Sequence, residues 1–233
     1  TYIFKIKVDD TLLRLFVMEF IDGKNFYELE RELKDAELKQ VAEMASMINK
    51  IDYDIKETYY DEWTVTNLQN EYEKKKYCLD YKEKEIIEPI IENFKSIEFD
   101  KMKYSYIHGD IIKANLILDS MNKIHIIDFS AFNYLPRIVE ISAILLGLCL
   151  TNSRDTTINK INKFLSYYNS YNALDENEIN NLPLILKALA AMYIIQTRYI
   201  KVNSGDYLEN DYWLAEGIKF LAMDISNSDI CIE

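Results

Sequence analysis

Cysteine is scarce in this chain of 233 residues, and the few cysteines lie far apart. Cys78, Cys149 and Cys231 match no metal-ligand spacing and indicate no disulfide framework. The sequence therefore favours neither a disulfide-rich secreted domain nor a cysteine-based metal site. We expect a protein of the reducing cytoplasm.

Long apolar runs are also lacking. The longest, from Leu182 to Ile195, is interrupted by Lys187. It is shorter than the ~20 residues that a membrane-spanning helix needs. The 49% of hydrophobic residues is nevertheless ample for the core of one large domain or two small ones.

Basic residues are fewer than acidic residues. The 27 Lys and Arg residues against 39 Asp and Glu residues give a formal net charge of −12. This balance argues against nucleic acids and anionic membranes as partners and is compatible with a cationic substrate. Histidine is rarer still, with two residues. His125 lies within a short apolar run, where packing is its expected role.

One stretch, residues 103–130, combines β-prone residues with a polar loop. A predicted strand ends at His108-Gly109-Asp110, and two apolar runs follow at residues 116–118 and 124–127, separated by a turn-rich cluster. If the turn centres on Met121-Asn122, Asn115 lies opposite Asp128, at roughly 4.5–5.5 Å between Cα atoms. Asp110, five residues before Asn115, approaches the same point from the side.

Two hard oxygen ligands beside a third carboxylate suit Mg²⁺, which takes few protein ligands and completes its shell with water and phosphate. This arrangement is typical of phosphoryl transfer, in which the protein supplies positioning and charge neutralisation. We therefore predict Asn115 and Asp128 as metal ligands. Asp110 is the predicted group that orients the attacking hydroxyl and accepts its proton.

The order and spacing of His108-Gly109-Asp110, Asn115 and Asp128-Phe129 resemble the catalytic core of the kinase-like phosphotransferases. The resemblance is to the small-molecule branch, which includes aminoglycoside phosphotransferases, choline kinases and type II homoserine kinases. Gly109 stands where protein kinases usually carry Arg, and no activation segment ending in Ala-Pro-Glu follows. Residues 136–142 resemble the family's Pro-x-x-Tyr-Asp-Leu-Ala segment, with Glu140 in place of the Asp that braces the catalytic loop. Whether Glu140 takes that role is left open.

The resemblance implies an α+β fold: the mostly helical C-terminal lobe of a protein-kinase-like structure, with small β-hairpins. It divides the chain into a hairpin and hinge at residues 1–22 and a helical lobe at residues 23–233. Fewer than twenty residues precede the hinge, so we expect the N-terminal lobe to be largely absent from this chain. Either the chain is a fragment of a longer protein, or the protein has lost half of its nucleotide site.

The same resemblance implies ATP and Mg²⁺ as cofactors and adds His108 to Asp110 among the catalytic residues. In the hinge, the backbone of Glu19 and Ile21 is expected to bind adenine, while Ile117 and Ile127 pack on the base.

Periodicity predicts the remaining elements. A hairpin is predicted from residues 2–8 and 12–20, and a capping box at Asn25 and Glu28 predicts a short helix to Leu33. Three further helices are predicted. One begins at residue 35, one is an exposed charged helix at residues 67–84, and one lies at residues 86–94. The chain after residue 136 is predicted to be helical, with its longest helix starting at Pro183.

Two acidic and aromatic segments, residues 51–64 and 209–216, invite alternative interpretations. They could line an acceptor site and hold an ammonium group, or they could be a solvated loop and ordinary packing.

The resulting hypothesis is an ATP-dependent phosphotransferase that moves the γ-phosphoryl group to a hydroxyl of a small cationic molecule. The alternative is a non-catalytic kinase-like binding or regulatory module, and a protein kinase is a weaker third. The sequence does not indicate an oligomeric state.

Overall fold

The computed structural model describes residues 2–9, 11–205 and 208–232. Helices make up most of it, in agreement with the predicted α+β class: α1 (Asp35–Ile48), α2 (Leu68–Lys75), α3 (Tyr81–Phe94), α4 (Arg137–Ile144), α5 (Arg154–Tyr171), α6 (Glu176–Ser204) and α7 (Leu208–Met223). The strands are short: β1 (Tyr2–Val8), β2 (Thr11–Val17), β3 (Gly23–Asn25), β4 (Tyr104–Ile107), β5 (Leu116–Asp119), β6 (Ile124–Ile126) and β7 (Asn133–Pro136).

The core is built around α6, which packs against α2, α3, α4 and α7. By length and composition α6 could span a membrane, but 72% of its most apolar window is buried inside the protein, as in the core helix of a soluble fold. The expected start at Pro183 is wrong. Asp175 caps the helix by accepting the Glu178 N–H at 2.9 Å, and Pro183 lies within the helix.

The capping box at Asn25 forms, but the helix predicted after it does not. The Asn25 side chain accepts the N–H groups of Tyr27 and Glu28 at 3.0 and 2.9 Å, and Glu28 accepts the Asn25 N–H at 3.0 Å. Glu30 then takes a left-handed conformation with φ of 50°, which a continuing helix does not allow. The segment is a series of turns, and Asn25 itself ends β3.

A three-stranded sheet in the order β3-β5-β6 carries the predicted catalytic hairpin. Its pairs are Leu116 with Ile126 and Leu118 with Ile124, so facing residue numbers sum to 242 and not to the predicted 243. The loop has three residues instead of two, because Asp119 accepts the Asn122 N–H and Asn122 is left-handed with φ of 61°. Asn115 therefore faces Ile127, whose N–H donates to the Asn115 carbonyl at 3.0 Å.

Two further pairs of strands complete the β structure. β1 and β2 form the predicted N-terminal hairpin, from the pair Val8 and Thr11 to the pair Tyr2 and Val17. β4 pairs with β7, with Ile107 opposite Asn133. The second pairing brings the residues that follow β4 next to the chain that leaves the catalytic hairpin.

The charged stretch 67–84 is not the single exposed helix that was predicted. It is divided into α2 and the start of α3, with Asp80 as the cap of α3. The predicted intrahelical pairing is present, since Lys75 contacts Glu71 at 2.7 Å. Both residues are buried, however, at 4% and 1% exposure, because α2 packs this face against α6.

Candidate active site

The loop between β4 and β5 contains the residues of the predicted catalytic motif. Gly109 has a φ of +85°, and a Cβ built on it would lie 2.5 Å from the Ala131 carbonyl oxygen. Only glycine adopts this conformation and allows this approach without strain. The absence of a side chain at Gly109 therefore lets the catalytic loop lie directly against the turn that follows Asp128.

His108 is completely buried and joins these two segments. Its Nδ1 accepts the Asp110 N–H at 3.2 Å, so the proton lies on Nε2, which donates to the Ile127 carbonyl at 3.0 Å. Burial lowers the pKa of His108 and keeps the ring neutral. Both ring nitrogens are engaged by the backbone beside Asp110 and Asp128, a geometry that favours positioning; a part in proton transfer stays a prediction.

Asp110 and Asn115 are in direct contact. The Asn115 Nδ2 donates to the Asp110 carboxylate at 2.7 Å and to the Asp110 carbonyl at 2.9 Å. This bond holds the Asp110 side chain and directs the amide nitrogen of Asn115 toward it. The amide oxygen of Asn115 is thereby turned away from Asp110, as the predicted role in metal binding requires.

Asp128 follows β6 in a left-handed conformation with φ of 64°. It caps the turn Phe129–Ala131 by accepting the Ser130 N–H at 3.1 Å. Hydrogen bonds from Ser130 lower the pKa of Asp128 below its usual range. Asp128 is thus an ionised carboxylate, the form that binds a cation.

These residues fit Mg²⁺. Asn115 and Asp128 provide hard oxygen atoms, and the described part of the chain contains no cluster of three or more His, Cys, Asp or Glu residues arranged for a metal. A cation here would depend on water and phosphate for the rest of its shell, which is how Mg²⁺ is usually held beside a nucleotide. The metal roles of both residues remain predictions.

Glu140, on α4, braces the catalytic loop. Its Oε2 accepts the His108 N–H and its Oε1 the Gly109 N–H, each at 3.0 Å, and the Asn49 Nδ2 donates to Oε2 at 3.2 Å. Burial raises the pKa of Glu140 to about 7, although these three N–H groups act in the opposite direction. The question left open by the sequence is answered: the longer side chain reaches the loop. The sequence offered no signal for Asn49.

A cavity of about 400 Å³ lies beside Asp110. The two acidic and aromatic segments both contribute to it, with Asp61 and Trp63 from the first and Asn210 and Trp213 from the second. The side chain of Glu209 lies outside the described residues. Sequence analysis missed Tyr193 of α6, which contacts the rings of Trp63 and Trp213 at 6.4 and 4.9 Å between centroids.

We call residues 51–64 the wall segment, because Asp61, Trp63 and Thr64 line the cavity. Buried Asn133 holds it at one point by accepting the Tyr59 N–H at 3.0 Å and donating to the Tyr59 carbonyl at 2.9 Å. Near the other end, Lys75 binds Glu62 at 2.6 Å, and Gln196 of α6 donates to the Glu62 carbonyl. The wall segment is therefore fixed against β7 and α6 despite having little regular structure.

The predicted adenine-binding residues are only partly brought together. Ile117 lies on β5 and Ile127 directly follows β6, and both are half-buried. Glu19 is exposed and Ile21 half-buried, and both precede β3, which meets β5 from Gly23 onward. Strand pairing alone therefore does not bring Glu19 and Ile21 to Ile117, and all four adenine contacts stay predictions.

Comparison with known proteins identifies the family to which this chain belongs. The sequence profile of the phosphotransferase enzyme family matches residues 4–172. A search of curated proteins found no match.

Solved structures of the same fold include small-molecule kinases. Plasmodium vivax ethanolamine kinase is 13% identical with a TM-score of 0.58, covering 95% of this chain and 66% of that one. Choline kinase from Streptococcus pneumoniae is 12% identical with a TM-score of 0.61, covering 88% and 69%. An amicoumacin kinase solved in complex with AMP-PNP, Ca²⁺ and Ami is 13% identical with a TM-score of 0.62, covering 99% and 71%. This chain thus spans about two thirds of the length of these relatives.

Proposed function

This chain belongs to the phosphotransferase enzyme family, and on that premise we propose that it transfers the γ-phosphoryl group of ATP to a hydroxyl group of a small cationic molecule. The observation that carries the proposal is the position of Asp110. Its carboxylate lines the cavity and is bonded to Asn115, the neighbouring predicted metal ligand. A cytoplasmic location, where ATP is abundant, is part of the same proposal.

The chain's own residues account for the positioning that the reaction needs. Asp110 would accept the hydrogen bond, and then the proton, of an acceptor hydroxyl in the cavity. The bond from Asn115 limits the carboxylate to one orientation. Asn115 and Asp128 would hold Mg²⁺, which neutralises phosphate charge when bound with ATP.

The residues that line the cavity favour a small acceptor molecule with a single positive charge. Its aromatic rings, from Trp63, Tyr193 and Trp213, offer faces to an ammonium group, and Asp61 and Asp110 are the acidic side chains in its described lining. Two carboxylates among mostly apolar groups favour an amino alcohol over a densely charged polycation. Choline and ethanolamine have the matching chemistry.

The test is phosphoryl transfer by the purified chain to a panel of choline, ethanolamine, homoserine and kanamycin. Asp110→Asn should lower turnover by ~10²–10⁴-fold, as expected for loss of a general base. It should leave Mg-ATP binding intact, seen as a melting shift of about 5–11 °C at saturating ligand. Asp128→Asn should lose that shift, and the exposed Asp100→Asn serves as the matched control.

Three results would contradict the proposal in whole or in part. Mg-ATP binding without turnover on any acceptor would favour the non-catalytic binding module. Equal loss of binding and turnover in Asp110→Asn would remove its assigned role. A preference for kanamycin over choline and ethanolamine would refute the acceptor class while leaving the phosphotransferase activity in place.

A further inference from the structure

A continuous chain of buried hydrogen bonds connects the catalytic loop to the C-terminal ends of α1 and α5 and returns to α4. We call it the buried relay; it consists of Arg137, Asn172, Tyr168, Asn49 and Glu140. Each member is exposed by 7% or less. They come from α4, from α5 and the residue after it, and from the residue that caps α1.

Every bond of the buried relay runs in the same direction. The Arg137 Nη1 donates to the Asn172 Oδ1 at 2.6 Å, and the Asn172 Nδ2 donates to the Tyr168 hydroxyl at 3.1 Å. That hydroxyl donates to the Asn49 Oδ1 at 2.7 Å, and the Asn49 Nδ2 donates to Glu140 at 3.2 Å. A group that only donates starts the chain and a carboxyl group ends it, so each amide has one orientation that satisfies both neighbours.

The Arg137 end is immobilised. Its Nε and Nη2 bind the two oxygens of Glu178 at 2.7 and 2.6 Å, and Nη2 also donates to the Ala173 carbonyl at 2.6 Å. Arg137 and Glu178 are 1% and 0% exposed. The planar guanidinium therefore directs Nη1 at Asn172 from a fixed position.

The other end of the buried relay, at Glu140, holds the backbone of the catalytic loop. Glu140 accepts the backbone N–H groups of His108 and Gly109, the two residues directly before Asp110. Asn49 also donates to the Tyr106 carbonyl at 2.9 Å, in the strand that leads into the loop. Any rotation of Asn49 that placed its oxygen against Glu140 would break both contacts.

We propose that Tyr168 is a positioning residue for Asp110, acting through Asn49 and Glu140. The inference rests on the proposed function, because it assigns Asp110 as the group to be positioned. Tyr168 is the one hydroxyl of the buried relay and both accepts and donates within it. Its ring packs beside Phe164 at 6.3 Å between centroids. Tyr168→Phe keeps that ring and interrupts the buried relay at its midpoint.

The test has two readouts. Tyr168→Phe should lower kcat about tenfold while the KM values for Mg-ATP and for the best acceptor of the panel stay within about twofold. In the same variant the His108 and Gly109 amides should exchange with solvent about tenfold faster in NMR measurements, relative to the Leu189 amide in α6. Tyr72→Phe is the matched control, since this buried tyrosine donates to Glu88 outside the buried relay. It should behave as the wild type in both readouts.

A purely structural role for Tyr168 would give a different pattern. It would accelerate exchange at His108, Gly109 and Leu189 alike, and that result would overturn the inference. Unchanged exchange at His108 and Gly109 would do the same. If the wild-type chain phosphorylates no acceptor, the proposed function fails, while the exchange comparison still decides whether Tyr168 holds the loop.

Discussion

Two polar networks hold segments that line the cavity, and they differ in how tightly they are enclosed. One is the buried relay, which ends on the catalytic loop and has no exposed member. The other, which we call the Lys75 cluster, consists of Lys75, Glu71, Glu62 and Gln196 and holds the wall segment. The Glu62 side chain of this cluster is 51% exposed.

The cation in each network explains the difference. Arg137 is a planar fork whose donors meet partners in fixed directions. Lys75 is a compact charge on a flexible stem, with Glu62 at 2.6 Å, Glu71 at 2.7 Å and the Tyr199 ring at 4.5 Å. Arginine favours one geometry, whereas lysine accommodates several. The loop before Asp110 is thus held in one geometry, whereas one of the anchors of the wall segment, Lys75, is an adjustable contact.

The largest expected effect is at the rigid network. Arg137→Met should lower the free energy of unfolding by about 3–5 kcal/mol, because Glu178 is left as a buried and unpaired charge. Urea denaturation measures the change. Arg154→Met is the control, since Arg154 is 44% exposed in its pair with Asp229 and should cost far less.

Removing both charges tests the cause of this loss. Arg137→Met combined with Glu178→Leu should recover a large part of the stability, because apolar groups of similar size often replace a buried ion pair without net cost. If the double variant is as unstable as Arg137→Met alone, the buried charge of Glu178 is not the reason.

A smaller effect is expected at the Lys75 cluster. Lys75→Met should cost about 1–3 kcal/mol of unfolding free energy, because Glu71 keeps the ammonium of Lys74 at 2.9 Å and the hydroxyl of Tyr60. The KM for the acceptor should rise several-fold with kcat unchanged, since only the wall segment is released. Lys76→Met, which removes an exposed pair with Glu73, is the matched control.

The distinction between the buried relay and the Lys75 cluster would be wrong if Lys75→Met lowered kcat and left KM unchanged. That outcome would mean that the wall segment contributes to the chemical step and not to substrate binding alone.

The smallest expected effect, counted per unit of pH, is a difference in the pH dependence of stability, which has opposite sign in the two networks. Hydrogen bonds from Lys75, Tyr60 and Lys74 outweigh burial and lower the pKa of Glu71 to about 2. Its contribution to stability is therefore present above pH ~4.5 and lost as the pH falls toward 2. Burial raises the pKa of Glu140 to about 7. Its contribution is present below pH ~4.5 and lost as the pH rises through 7.

Unfolding free energies between pH 3.5 and 8 check these signs. Glu71→Gln should reduce the slope of the unfolding free energy against pH on the acid side. Glu140→Gln should reduce that slope on the neutral side, each by less than ~1.4 kcal/mol per pH unit. A flattening on the same side in both variants would show that the two carboxyl groups do not differ in this way.

Local sequence signals predicted the local structure that carries the candidate site residues. The order and spacing of His108, Asp110, Asn115 and Asp128 predicted a loop followed by a hairpin. Both are present, since these residues lie within 21 positions and their strands pair locally. The register was wrong by one residue, because residues 119–123 suit either a two-residue or a three-residue loop. The left-handed Asn122 decided between them.

Other errors had a tertiary cause. The capping box at Asn25 formed as predicted, yet pairing of β3 with β5 occupied the residues before it and turns followed. Glu71 and Lys75 were expected on a solvated helix face, as their charges suggest. They are buried because α6 supplies Gln196 and the Tyr199 ring as partners.

The sequence by itself determined the helical periodicity, the caps and the set of oxygen-bearing side chains near Asp110, because these depend on residues close together in the chain. Only the tertiary structure decided what holds that set in place. Glu140 meets Asn49 across 91 residues, and Asn49 meets Tyr168 across 119. Hydrogen bonds over such separations follow from how helices pack, and packing leaves no periodic signal that identifies the partners.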